Sequence, residues 1–104
     1  MTAKEHYRFY LKVRREAMRF ADQRDFSPAI RSGIRSAHAS STTAGTVVCV
    51  NVRDRLDKVY TVVAIAYAAM LLGGNFSYSS DEDYTTSSGE HIMMIDISKN
   101  EAAR

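Results

Sequence analysis

Apolar and polar residues alternate at helical spacing through the first part of the chain. Thr2 and Glu5 fit a capping box, and a helix is predicted from Ala3 to Gln23. Placed at steps of about 100°, Lys4, Arg8, Lys12, Arg15 and Arg19 fall on one face within about 80°. Tyr7, Phe9, Tyr10, Leu11, Val13, Ala17, Met18, Phe20 and Ala21 spread over about 200° of the opposite side. An apolar arc that broad exceeds what one packing partner covers. It implies contact on two sides: sheet and second helix, or a partner subunit. Arg14 points into the middle of the arc. It is read either as a snorkelling side chain or as a paired arginine at an interface or pocket.

Ser27-Pro28 is a start signal, a serine cap followed by proline in the first turn. A second helix is expected from Pro28 to Ala39, with Ile30, Ile34 and Ala37 as its apolar stripe and Arg31, Arg35 and His38 beside it. Residues 40–45, SSTTAG, read as a flexible linker. Thr46 to Val52 is a strand, apolar on both faces until Asn51, which places it inside a sheet.

Asp54 caps a third helix, and Gly73 stops it. Leu56, Val59, Tyr60, Val63, Tyr67, Met70 and Leu71 share one side, and Ala64, Ala66, Ala68 and Ala69 leave small patches elsewhere. The segment VYTVVAIAY is also rich in strand formers, so its period leaves a strand open; a helix at the centre of the core is the adopted reading. Residues 75–80 form a short strand with Phe76 and Tyr78 on one face, and 81–90 an acidic loop. In a last strand, 91–98, Met93, Ile95 and Ile97 face one way and Ile92, Met94 and Asp96 the other. The last six residues, 99–104, are expected to fray. The expectation is a single α+β domain in the order α-α-β-α-β-β, with a small, mostly antiparallel three-stranded sheet packed against helices.

At 104 residues, 45% hydrophobic and 25% charged, the chain has enough apolar material for one small core. The lone cysteine, Cys49, lies in an apolar strand and reads as a small buried hydrophobe, in keeping with a cytoplasmic protein. The longest apolar run, Val59 to Leu72, is too short to span a bilayer, and no membrane association is expected. The net charge of +2 is unevenly spread. Residues 1–40 hold nine Lys or Arg against four acids, and 41–104 hold five against eight. Such a chain suits an anionic partner for its first part, or one copy's basic part meeting another's acidic part.

His6, His38, His91 and Cys49 have no metal-ligand spacing, and no nucleophile motif appears. No cofactor or metal is expected, and a non-enzyme is favoured. The leading expectation is a protein that binds other proteins and self-associates as a homo-oligomer, anchored by Tyr7, Phe9, Tyr10, Val13, Arg14 and Phe20. A second reading is nucleic-acid binding by Lys4, Arg8, Lys12, Arg15 and Arg19, extended by Arg31 and Arg35. A third is a carrier of a small anionic ligand. It would use a phosphate site built from the 40–46 hydroxyls with Arg31, Arg35 and His38, or a pocket near Arg14, Tyr60 and Tyr67.

Overall fold

The computed structural model describes residues 1–100. Helix α1 spans Ala3–Gln23, α2 Pro28–Arg35 and α3 Arg55–Leu71. The strands are β1 (His38–Thr42), β2 (Gly45–Val52), β3 (Gly74–Tyr78), β4 (Tyr84–Thr85) and β5 (His91–Lys99), with a 3-10 turn at Ser80–Glu82. They form one five-stranded antiparallel sheet in the order β1-β2-β5-β3. The short β4 pairs with the start of β5, end to end with β3.

The capping box at Thr2 is formed: the Glu5 N–H donates to Thr2 Oγ1, and the Thr2 N–H donates to Glu5 Oε1, both at 3.1 Å. The Thr2 N–H bond first, and then the Thr2 side chain, hold the Glu5 carboxyl below its ordinary pKa. Ser27 caps α2 and ties it to α3, because its hydroxyl donates to Asp57 Oδ1 at 3.2 Å.

The three-stranded sheet of the sequence reading is corrected to five strands. The extra members are β1 and β4. Residues 38–42 form the edge strand of a hairpin with β2, in which Thr42 lies opposite Gly45. An edge strand needs few apolar side chains, so HASST carries hydroxyls and resembles a linker. The second helix accordingly ends at Arg35 rather than Ala39. Ser36 closes it by donating both its N–H and its hydroxyl to the Ser32 carbonyl. The two-residue β4 is too short to leave a periodic signal. Of the expected frayed tail, Lys99 instead ends β5 opposite Gly74, and residues 101–104 lie outside the described residues.

All three helices pack on one face of the sheet. Val48 and Val50 of β2 and Met93, Ile95 and Ile97 of β5 point into this interlayer and are buried. They meet Val13 and Ala17 of α1, Ile30 and Ile34 of α2, and Ala64 and Ala68 of α3. Phe76 and Tyr78 pack against the same core from β3. Cys49 sits on the opposite, helix-free side of β2 and is half-buried, not enclosed. Two adjacent glycines join α3 to β3. Gly73 has φ of 77°, the left-handed stop that ends the helix. At Gly74 a Cβ would lie 2.6 Å from the Phe9 ring and 2.9 Å from the Ser98 carbonyl, so only glycine lets α1 press on the start of β3.

Candidate functional site

The N-terminus of α3 is set by Asp54, whose Oδ1 accepts from the N–H groups of Leu56 at 2.7 Å and Asp57 at 3.3 Å. The side turned to the core is mostly small: Thr61, Ala64, Ala68 and Ala69 are buried, with Ile65 the one large side chain among them. Thr61 reaches this apolar layer without an orphaned hydroxyl because it donates to the Asp57 carbonyl at 2.6 Å. Small side chains let the helix axis approach α1 and the sheet closely. The large side chains must then lie outside.

They do. Leu56, Val59, Tyr60, Val63, Tyr67, Met70 and Leu71 are each between 41% and 70% exposed. The sequence reading correctly put them on one side, but α3 does not sit at the centre of the core. Its large side is turned to solvent. From Val59 to Asn75 there is no charged residue at all. A surface helix ordinarily presents polar residues outward. With side chains of this size, the exposed fractions leave roughly 700 Å² of apolar surface, above the ~300–600 Å² of the largest patch on a typical monomer.

One flank of this face is an aromatic shoulder. Tyr67 stacks on Phe20 of α1 with ring centroids 4.5 Å apart, Tyr60 lies 5.2 Å from Phe26, and Phe20 meets Phe26 edge-on at 5.6 Å. The Arg24 guanidinium lies over the Phe20 ring at 5.2 Å. These rings hold one another in place. Beyond the shoulder runs the basic stripe of α1. Lys4, Arg8, Lys12, Arg15 and Arg19 are all exposed. The acids that could mask them are engaged: Glu5 in the cap, Glu16 with Arg19 at 3.8 Å, and Asp22 with Arg31 at 3.0 Å. Among the described residues Lys4, Arg8, Lys12 and Arg15 have no ion-pair partner.

The other flank of α3 carries both signs, with Arg55, Lys58 and Asp83 lining one shallow cleft. Lys58 forms an ion pair with Asp83, and the Tyr78 hydroxyl donates to the same carboxylate. These contacts pin the turn at residues 80–83 beside the first half of α3 and leave Asp81 and Glu82 exposed.

The residues expected to form an interface on α1 are distributed differently. Phe9, Tyr10 and Val13 are buried within one chain, between the sheet and the neighbouring helices. Most of the broad apolar arc of α1 is thus covered by sheet and helices. Phe20 is half-buried in the aromatic shoulder, Tyr7 is exposed, and Arg14 is half-buried near Tyr10. Arg35 and His38 are exposed near the α2–β1 junction, and Arg31 is spent on Asp22. Tyr60 and Tyr67, expected beside an internal pocket, face outward instead. Among the described residues no three His, Cys, Asp or Glu side chains gather as metal ligands, and no helix is long and apolar enough to cross a membrane.

His6 went unnoticed as a structural residue. It is buried, and its Nε2–H donates to the Thr43 carbonyl at 3.2 Å. Thr46 donates in turn to the His6 carbonyl at 3.3 Å, locking α1 to the β1–β2 hairpin. The signal for this was absent from local spacing, since the partners are 37 and 40 residues away.

Two phenols sit above the ordinary tyrosine range. Burial raises Tyr10, opposed by the charge of Arg14 and its approach to the phenol, and no group makes a well-formed hydrogen bond to the Tyr10 hydroxyl. Burial also raises Tyr78, assisted by its bond to Asp83 and by that group's charge. A folded-state value above the unfolded one, about 10, gives stability that is complete below that pH and is lost as pH rises through the folded value. Urea unfolding at pH 7 and above pH 10 checks this. Tyr10→Phe should be neutral or stabilising by up to about 1 kcal/mol at pH 7 and should shrink the alkaline loss. A cost above about 1 kcal/mol at pH 7 would show that the hydroxyl is bonded.

No protein-family model, no curated protein sequence and no solved structure matches this chain.

Proposed function

We propose that this domain is a protein-interaction module that works by self-association, and that its contact surface is the outward face of α3. The observation that supports this reading most is the inverted helix. Three alanines, a threonine and a single isoleucine, Ile65, are packed inward while seven large apolar side chains face water. The roughly 700 Å² on offer is close to the ~800 Å² that each partner contributes to a standard interface. The face carries no charge, so two copies can meet without burying unpaired ions. Tyr60 and Tyr67, braced by Phe26 and Phe20, are the type of rigid aromatic anchor that carries binding energy. The anchoring set thus moves from the α1 residues to α3, with Phe20 retained as its shoulder.

Sedimentation equilibrium over a micromolar concentration range tests the reading. A dimer should appear, with twice the 11.6 kDa mass of one chain. A monomer at every concentration up to about 100 μM, where even a weak biological contact would register, would refute it.

A further inference from the structure

On a surface that the α3 contact does not use, we infer that the outward face of α1 binds duplex nucleic acid through its phosphate backbone, without reading the base sequence. Lys4, Arg8, Lys12 and Arg15 carry the inference. They stand about one helical turn apart, along about 16 Å of the helix. All four are exposed. The packing behind them fixes their direction: Phe9, Val13 and Ala17 of the same helix point into the core, so the stripe faces away from the sheet. Among the described residues none of the four is spent on an ion pair.

The acids nearest to the stripe are engaged. Glu5 accepts from the Thr2 N–H, Glu16 faces Arg19, and Asp22 pairs with Arg31. Two further acids lie across the molecule. Asp96 is on the helix-free side of β5, and Glu90 accepts from Asn51 Nδ2 at 2.8 Å. The net charge of +2 therefore understates the positive field over α1. Like charges one turn apart weaken a helix, and a polyanion laid along them removes that cost. A line of cations suits a line of phosphates. One DNA strand carries a charge about every 3.4 Å of axis, so about five phosphates run beside a stripe of this length. No Asn, Gln or aromatic residue stands between the four cations on this face, so the contacts go to phosphate, which positions the duplex without specifying its sequence. The strip also lacks the apolar side chains that would enter an anionic membrane.

Fluorescence anisotropy with a labelled DNA duplex of about 20 base pairs tests this. Four phosphate contacts release counterions, so log K should fall against log salt with a slope of about −3.6 or steeper. Raising salt from about 50 to about 200 mM should then weaken binding at least a hundredfold. Lys12→Gln with Arg15→Gln should make the slope shallower by about two and weaken binding equally on duplexes of unrelated sequence. Both positions are exposed, so urea unfolding of this variant should match the unmodified chain. Arg53→Gln serves as the control, because Arg53 lines a different cleft with Ser36 and Glu90; it should change neither slope nor affinity. No binding at about 50 mM salt with about 100 μM chain would overturn the inference. So would a slope that the Lys12 and Arg15 changes leave unmoved, or capture by phosphatidylserine vesicles in place of the duplex.

Discussion

Val63→Glu combined with Met70→Glu should convert the associated form to a monomer. Both side chains project from the middle and end of the outward α3 face, and among the described residues Met70 is the most exposed large apolar side chain, at 70%. Glutamate is a good helix former, so α3 itself loses little. In the lone domain the new carboxylates sit in water, and a surface substitution of this type changes stability by about 0.5 kcal/mol or less. In a dimer the same carboxylates would be trapped in an uncharged interface. Dimerisation should weaken at least a hundredfold, which corresponds to about 3 kcal/mol. Sedimentation reads the association and urea unfolding reads the fold. Loss of the fold together with the dimer would mean that Val63 faces the core. An unchanged dimer would move the interface off α3.

The complementary substitutions lie on the hidden side of the same helix. Ala64 and Ala68 have no exposed surface and belong to the buried core cluster. Leucine at either position adds volume where the interlayer is already full, and each change should cost about 1–3 kcal/mol. The two sites are one turn apart and share neighbours, so the double variant need not show a simple sum. Chemical denaturation measures this directly. Were α3 rotated so that its large residues pointed inward, both leucines would lie in solvent and cost close to nothing. The two sets of variants therefore read the rotation of the helix from opposite sides.

That rotation is also where the sequence was hardest to read. The pattern around α3 separates small from large apolar residues, but with no charge after Lys58 it supplies no polar face to mark the outside. Size then favours placing the large set inward, whereas close packing on α1 and the sheet takes the small set. The capping box at Thr2, the Ser27-Pro28 start, the Asp54 cap and the left-handed Gly73 were all legible because each depends on residues within a few positions. The facing of Met93, Ile95 and Ile97 followed from strand period alone. The edge strand β1 was not legible, because its hydroxyl-rich sequence satisfies a loop and an exposed ladder equally. The width of the α1 apolar arc was read correctly, and two kinds of cover were open to it. Sheet and helices of the same chain provide that cover, which leaves the surplus apolar surface on a different helix. The basic stripe of α1 was visible as an imbalance between the two parts of the chain; only the fold shows that its neighbouring acids are engaged.

The most direct measurement is hydroxyl-radical footprinting of the unmodified chain, concentrated and then diluted, with side-chain oxidation resolved by mass spectrometry. Methionine and tyrosine report strongly, and the outward α3 face holds Met70, Tyr60 and Tyr67. These three should be protected at concentrations where the chain associates and reactive after dilution, while Tyr84, exposed on the short β4, stays reactive throughout. Association that leaves Met70 and Tyr67 as reactive as in the dilute sample would contradict a contact through α3.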